Sequence, residues 1–287
     1  MSMLSNRKIV LGVGGGIAAY KSAELVRLLG KAGAEVHVVL SEGGARFVTP
    51  VTYQALSGNP VWSDLWDARM PNHMAHIDLG REDAVEVFKG RMDFAAALGA
   101  KVINTNAAAR RNAERFFRNI EPLVRHAEQL GLIIGLENPG DGSDNLINTA
   151  TDGIALLKQL GYPNVRLNYD AANTVSHRPP GTPGGVIPAD DALLAMPCCG
   201  HVHIKDAKVT PDGYFFTPLG EGDIGCERIV RGVAGTDLAL SVELPLRLHR
   251  GPDAQPIRRP EPVPLAEIEA AVRTSLAFVE RHLGGTA

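Results

Sequence analysis

Short apolar runs alternate with amphipathic stretches along most of this 287-residue chain. The first run, residues 7–13 (RKIVLGV), predicts a buried strand, and Gly14, Gly15 and Gly16 follow it as a tight turn. A helix is expected over 17–32, with Ala18, Ala19, Leu25, Val26, Leu28 and Leu29 as its apolar positions and Gly33 as its stop. Residues 35–40 (EVHVVL) read as a second strand. A helical or loop segment around Phe47 to Leu56 and a short strand-like piece near Val61 come next. The stretch 64–82, with Pro71 and several polar residues, reads as a junction.

From Glu82 the alternation becomes regular. Strands are expected at 101–105, 132–136, 165–169, 201–205 and 238–242. Helices are expected at 83–98, with Val85, Phe88, Met92 and Ala96 on one face, and at 110–130, 145–160, 189–195 and 226–233. A last helix, 265–283, carries Ile268, Val272, Leu276 and Val279 as its buried stripe. A Gly-rich excursion at 211–225 and a Pro-rich surface connection from Pro252 to Pro264 interrupt the rhythm. This spacing argues for parallel βαβ units, an α/β protein of the (βα)8 TIM-barrel type. The five strands after the junction leave three to be supplied, and the first segment offers two firm strands and one weak one.

Composition narrows the class without changing this picture. A chain with 45% hydrophobic and 21% charged residues is an ordinary globular one, and its net charge of −3 gives no general pull toward nucleic acid or anionic membrane. No apolar run approaches the length of a membrane span. The N-terminal apolar run lacks a small-residue cleavage site and reads as a strand, not a signal peptide. Cys198 and Cys199 are adjacent and Cys226 makes the count odd, which argues against a disulfide framework and fits a reducing cytoplasm.

The candidate chemistry lies at four strand ends. Glu137, Asp170, His203 and Glu243 each sit at or just past the end of an apolar run, about every thirty to forty residues, where such barrels place their chemistry. Each acid alone is equally well a solvated strand-end or capping residue. Together, three carboxylates and one imidazole make a divalent-metal set suited to Mn²⁺, Mg²⁺, Co²⁺ or Zn²⁺, and the absence of thiolate argues against a structural zinc cage. Asn106, at the end of its strand, is a candidate for a substrate hydroxyl. His201 shares strand parity with His203, either supporting the ligands or merely packed. Lys205 and Asp206 read as rim residues or, alternatively, as members of an inter-strand ion pair, and Glu221 and Asp223 as turn residues of the Gly-rich loop.

The segments GAKVINTN, LGLENPGDG, VRLNYDAANT, HVHIKD, PLGEGDI and LSVELP, in this order from about residue 82 onward, resemble the sugar phosphate isomerase/epimerase family of xylose-isomerase-like barrels. The resemblance implies that Glu137, Asp170, His203 and Glu243 hold the metal, which binds a substrate carbonyl and adjacent hydroxyl and stabilises an enediolate. It also implies that Glu137 and Glu243 exchange protons with the substrate from opposite sides. Asn173 stands where some relatives carry His, within the substrate region. The implied partner is a small sugar or sugar phosphate, and self-association is expected because relatives often form dimers or tetramers. An endonuclease role would need further His and Asp ligands and a basic face, and neither is evident.

The first eighty residues resemble a different family. KIVLGVGGGIAAYKSAELVRLLGKAGAEVHVVLSEGGARFVTPVTYQALSGNPVWSDLWD through MAHIDL is similar to the start of the flavin-binding phosphopantothenoylcysteine decarboxylases, whose fold is flavodoxin-like. That resemblance implies an FMN phosphate at Gly14, Gly15 and Gly16, through backbone N–H groups at a helix start, and matches His76 to the family's catalytic histidine. The alternative is a plain strand–helix turn. Gly14 stands where the family has Ser. The second flavin-contacting loop, the PxMNxxMW motif and the cysteine-bearing flap are absent, so decarboxylation is not expected. The chain therefore reads as a chimera, with a flavodoxin-like fragment (1–80) supplying the first strands of an isomerase barrel (81–287), merged into one domain. The rival readings are a flavin-binding module and a catalytically silent scaffold.

Overall fold

The computed structural model describes residues 4, 7–14, 19–62, 79–80 and 83–284. The chain divides into two compact units: 1–75 with 86–101, and 76–85 with 102–287.

The first unit contains β1 (Lys8–Val13), α1 (Ala19–Lys31), β2 (Glu35–Leu40), α2 (Glu42–Ala45), α3 (Pro50–Ser57), β3 (Val61–Trp62) and most of α4 (Ala84–Ala97). Alternation in β2 buries Val36, Val38 and Leu40, which join Val13, Ala19, Val26, Tyr53 and Val61 in one apolar cluster. The Tyr53 hydroxyl is satisfied inside this cluster by donating to the Ala19 carbonyl at 2.9 Å. On α1, Ala19 and Val26 are buried, whereas Leu25 and Leu28, expected on the apolar face, are exposed. The three strands form a parallel ladder in the order β1-β2-β3, with Val38 opposite Val61. A flavodoxin-like sheet sets its third strand beside the first. Here β3 pairs with β2, as a barrel requires.

The second unit opens with β4 (Val102–Asn106), α5 (Ala113–Leu130), β5 (Ile133–Glu137), α6 (Ala150–Leu160), β6 (Val165–Asp170), α7 (Pro188–Ala195) and β7 (Cys199–Ile204). It continues through β8 (Asp206–Thr210), β9 (Gly213–Thr217), α8 (Cys226–Val233), β10 (Ala239–Val242), β11 (Leu248–Arg250), β12 (Pro256–Arg258) and α9 (Leu265–His282). A five-stranded parallel ladder runs β10-β7-β6-β5-β4. Its crossover helices bury apolar stripes: α5 buries Phe116, Ile120, Leu123, Val124 and Ala127 and stops on Gly131 at φ 66°. Helix α6 starts with a reciprocal capping box between Thr149 and Asp152.

Two expectations need correction. The Gly-rich excursion and the Pro-rich connection are not irregular throughout. They contribute β9 and β12, which join β8 and β11 from the flanking residues in an antiparallel sheet ordered β12-β11-β9-β8, with Gly213 turning between β8 and β9 at φ 134°. On α9 the expected stripe does not face inward. Ile268, Val272 and Leu276 are exposed, and the buried residues are Ala271 and Ser275, whose Oγ accepts from the Leu219 N–H at 3.1 Å. Small side chains let the helix approach closely where bulky ones would hold it off.

Candidate metal centre

Parallel pairing brings the C-terminal ends of neighbouring strands together, and the four candidate ligands sit there. Glu137 ends β5, Asp170 ends β6, His203 is the penultimate residue of β7, and Glu243 follows β10 directly. Glu243 extends the ladder by donating its N–H to the Ile204 carbonyl at 2.9 Å. The register matters as much as the order. An irregularity between Leu167 and Asn168 leaves Gly200 of β7 without a partner, so that Asn168 faces His201 and Asp170 faces His203. Unbroken pairing would set Asn168 against Gly200 and Asp170 against Val202. The bulge therefore turns both histidines to the carboxylate side. One donor atom from each of Glu137, Asp170, His203 and Glu243 lies within 4.8 Å of the others. Glu137 and Asp170 are buried and the other two half-buried.

Charge in this group is partly offset by internal cations. His203 Nδ1 lies 3.2 Å from Glu137 Oε1. The Lys205 ammonium lies 2.9 Å from Asp170 Oδ2 and donates to Glu243 Oε2 at 3.0 Å. Asp170 Oδ1 accepts from the Ala172 N–H at 2.9 Å, whereas Oδ2, although close to Lys205, has no hydrogen bond of proper angle. Burial pushes the Asp170 carboxyl up to about 6, Lys205 opposes that rise, and the charges of Glu243 and Glu137 reinforce it. Burial alone would lower Lys205 and His203. Asp170 and Glu243 outweigh it for the lysine, and Glu137 chiefly does so for the histidine, so both are held above their usual ranges. Burial raises Glu243, but Lys205 outweighs it and the net direction is down.

Below the ligands lies a polar layer. Asn168 is fully buried and donates to Glu137 Oε2 at 3.0 Å, with its amide nitrogen 3.2 Å from His203 Nδ1. Its carbonyl oxygen is 2.8 Å from His201 Nδ1, and His201 Nε2 is 2.9 Å from Ser241 Oγ. One consistent assignment has His201 Nδ1–H donating to Asn168 and Nε2 accepting from Ser241. Burial and the neighbouring His203 charge lower the His201 pKa, which suits this neutral ring. Asn138, also fully buried, exchanges two hydrogen bonds with the Asp170 backbone, at 2.8 and 2.9 Å. These contacts fix the ligand strands much as outer residues orient metal ligands.

This donor set fits a divalent cation. Three carboxylates and one imidazole supply hard oxygen and borderline nitrogen donors, with no thiolate. The orphaned, fully buried Asp170 Oδ2 is a lone-pair donor without a hydrogen-bond partner. A spread of up to 4.8 Å is slightly wider than the roughly 4.2 Å across an ion with bonds of about 2.1 Å, so a small contraction closes the set.

The remaining residues named from the sequence divide clearly. Asn106 is half-buried at the end of β4, opposite Glu137 in the ladder. His201 is 9% exposed and has both ring nitrogens engaged, which leaves it no free atom for a substrate. Asn173 is buried and donates to the Asn138 carbonyl at 2.8 Å, holding the loop after β5. Lys205 and Asp206 are not rim residues: at 6% and 1% exposure both are buried. Asp206 accepts backbone N–H groups from Ala207, Gly220, Gly222 and Ile224 and so shapes the Gly-rich loop. Asp223 serves that loop as expected, accepting from the Val209 N–H at 2.9 Å. Gly14 follows β1 and is exposed, whereas Gly15, Gly16 and His76 lie outside the described residues. Asn168, Asn138 and Ser241 escaped sequence reasoning. For Asn168 a signal existed, since it lies two residues before Asp170 and shares its face of the strand.

Fold and site together define an α/β barrel type of protein with a candidate divalent-metal set at its strand ends. A family model described as xylose isomerase-like TIM barrel matches residues 15–278, and the chain belongs to that family. Among solved structures, D-psicose 3-epimerase from Clostridium cellulolyticum H10, crystallised with D-tagatose, superposes with a TM-score of 0.56 at 16% identity, covering 98% of this chain and 96% of that one. A xylose isomerase domain protein from Planctomyces limnophilus gives 0.53 at 16% identity, covering 96% and 89%. These likenesses establish the fold. A separate likeness links 102 residues, 35% of this chain, to the coenzyme A biosynthesis bifunctional protein CoaBC of Haemophilus influenzae, at 48% identity. The chain spans about a quarter of the length of that relative, 26%. The sequence thus joins two lineages, as a chimera would. No helix among the described residues is long and apolar enough to cross a membrane.

Proposed function

We propose that this protein is a divalent-metal-dependent isomerase or epimerase of a small sugar or sugar phosphate. The observation that carries the proposal is the grouping of Glu137, Asp170, His203 and Glu243 donors within 4.8 Å at adjacent strand ends, in a chain of the xylose isomerase-like family. A bound cation supplies Lewis-acid polarisation of a substrate carbonyl and its neighbouring hydroxyl. Glu137 and Glu243 are assigned the proton transfers: one takes the proton from the carbon beside the carbonyl, and one returns it. Return to the opposite face of the same carbon is epimerisation, and return to the neighbouring carbon is isomerisation. Asn106 is assigned to a substrate hydroxyl. Asn173, whose amide nitrogen is engaged by the Asn138 carbonyl, and His201, whose ring nitrogens are both engaged, are assigned to holding the ligand strands. Residues 1–80 are assigned to the flavoprotein-derived fragment and 81–287 to the isomerase-derived segment.

The test is solvent deuterium uptake into a panel of ketoses and ketose phosphates, followed by NMR with the Mn²⁺-loaded protein. Uptake at the carbon beside the carbonyl is expected, and Glu243→Gln should abolish it. Uptake that persists in Glu243→Gln would sink the proposal. A second reading, FMN binding at Gly14, Gly15 and Gly16, is supported by the 48% identity to CoaBC. Quenching of FMN fluorescence on titration with the protein would favour it, and unchanged fluorescence would remove it.

A further inference from the structure

Without a metal, three carboxylates gathered within a few ångströms repel one another strongly. The chain answers this in part by setting cations among the carboxylates: His203 beside Glu137, and the single ammonium of Lys205 between Asp170 and Glu243. Lys205 is the unusual member. It follows β7 directly, two residues after His203, and its side chain is only 7% exposed. Its Nζ reaches two of the four candidate ligands, at 2.9 and 3.0 Å. At Asp170 the contact is a close ion pair whose geometry is poor for a hydrogen bond. A lysine suits such a post because its ammonium is a compact point charge on a flexible stem. A second place for the charge is at hand, since Nζ lies 5.3 Å from the centroid of the Phe216 ring, within cation–π range.

We infer that Lys205 is a positioning residue, an ammonium that holds Asp170 and Glu243 in place when no divalent cation is bound and gives way when one binds. The inference rests on the metal reading above. On this account the ligand set survives in ordered form without its ion, and the affinity of the protein for the ion is lower than the ligands alone would give.

The test uses the chelator-stripped full chain, with Mn²⁺ as the probe at pH 7.5. Calorimetric titration should show Lys205→Met binding Mn²⁺ about tenfold or more tightly than wild type, because a competing positive charge is gone. Lys205→Arg, which keeps the charge, should stay near wild type. Lys205→Met should also unfold at a lower temperature than wild type in chelator, a gap that saturating Mn²⁺ closes. In wild type, acylation of the Lys205 amine, read by mass spectrometry, should speed up when Mn²⁺ is added. Equal or weaker Mn²⁺ binding by Lys205→Met, or Mn²⁺ protecting Lys205 from acylation, overturns the inference and leaves the metal reading intact. Absence of Mn²⁺ binding by wild type overturns both. If Lys205→Met fails to fold, the wild-type acylation comparison decides alone.

Discussion

The metal-free protein should become more stable when Asp170 is neutralised. Asp170 has no exposed surface, and its carboxyl rises from the ordinary 3.8 to about 6, through burial first, against the pull of Lys205. An acid with a raised folded-state pKa contributes stability that is fully present below 3.8 and is lost as pH rises through about 6. At about 1.4 kcal/mol per pH unit, the ionised carboxylate costs the fold about 3 kcal/mol at neutral pH and roughly half of that at pH 5. Asp170→Asn keeps the shape and the oxygen that accepts from the Ala172 N–H. Denaturant unfolding in chelator, followed by circular dichroism, should therefore find Asp170→Asn about 2–3 kcal/mol more stable than wild type at pH 7.5. The advantage should shrink toward pH 5 and nearly vanish by pH 4. Saturating Mn²⁺ should stabilise wild type and leave the variant unmoved. A variant less stable than wild type at pH 7.5, or an advantage that grows as pH falls, would refute the reasoning. Such a cost is what a site kept for chemistry and not for stability should carry.

Other expectations follow from the same contacts. Because Asp170 titrates at about 6 and His203 is raised by Glu137, Mn²⁺ binding below pH 6 should release up to about two protons; calorimetry in buffers of different ionisation heat measures this, and pH-independent affinity would contradict it. Asp206→Asn should cost about 3 kcal/mol or more, since one amide oxygen cannot replace two carboxylate oxygens that accept four N–H groups. Hydrogen exchange at Gly220, Gly222 and Ile224 should accelerate before the rest of the unit. Thr149→Ala removes the capping box of α6 and should cost about 1 kcal/mol with no change in Mn²⁺ affinity.

The parts legible in the sequence are those governed by repetition. Residues 165–169 were expected as a strand and Val165–Asp170 form one, and the ligands were named because each ends such a run. What escaped depends on pairing partners. Alternation in β9 is real, with Tyr214 and Phe216 buried, but a five-residue hairpin strand beside a Gly-Pro-rich stretch carries too little period to stand out. Helix α9 was legible as a helix and misread as to its face, because Ala271 and Ser275 are buried through closeness of approach and not through hydrophobicity. The burial of Lys205 had no sequence signal at all. It is set by two carboxylates contributed from other strands, Asp170 and Glu243.

The seam between the two lineages lies outside the ligand set. All four candidate ligands belong to the second unit. They stand on β5, β6 and β7 and directly after β10, four adjacent members of one hydrogen-bonded ladder. Their supports, Asn138, Asn168, His201, Lys205 and Ser241, come from the same ladder or the residues that immediately follow its strands. The ligand set is therefore assembled by local register, through the Asn168–His201 offset, and does not depend on which lineage supplies β1, β2 and β3.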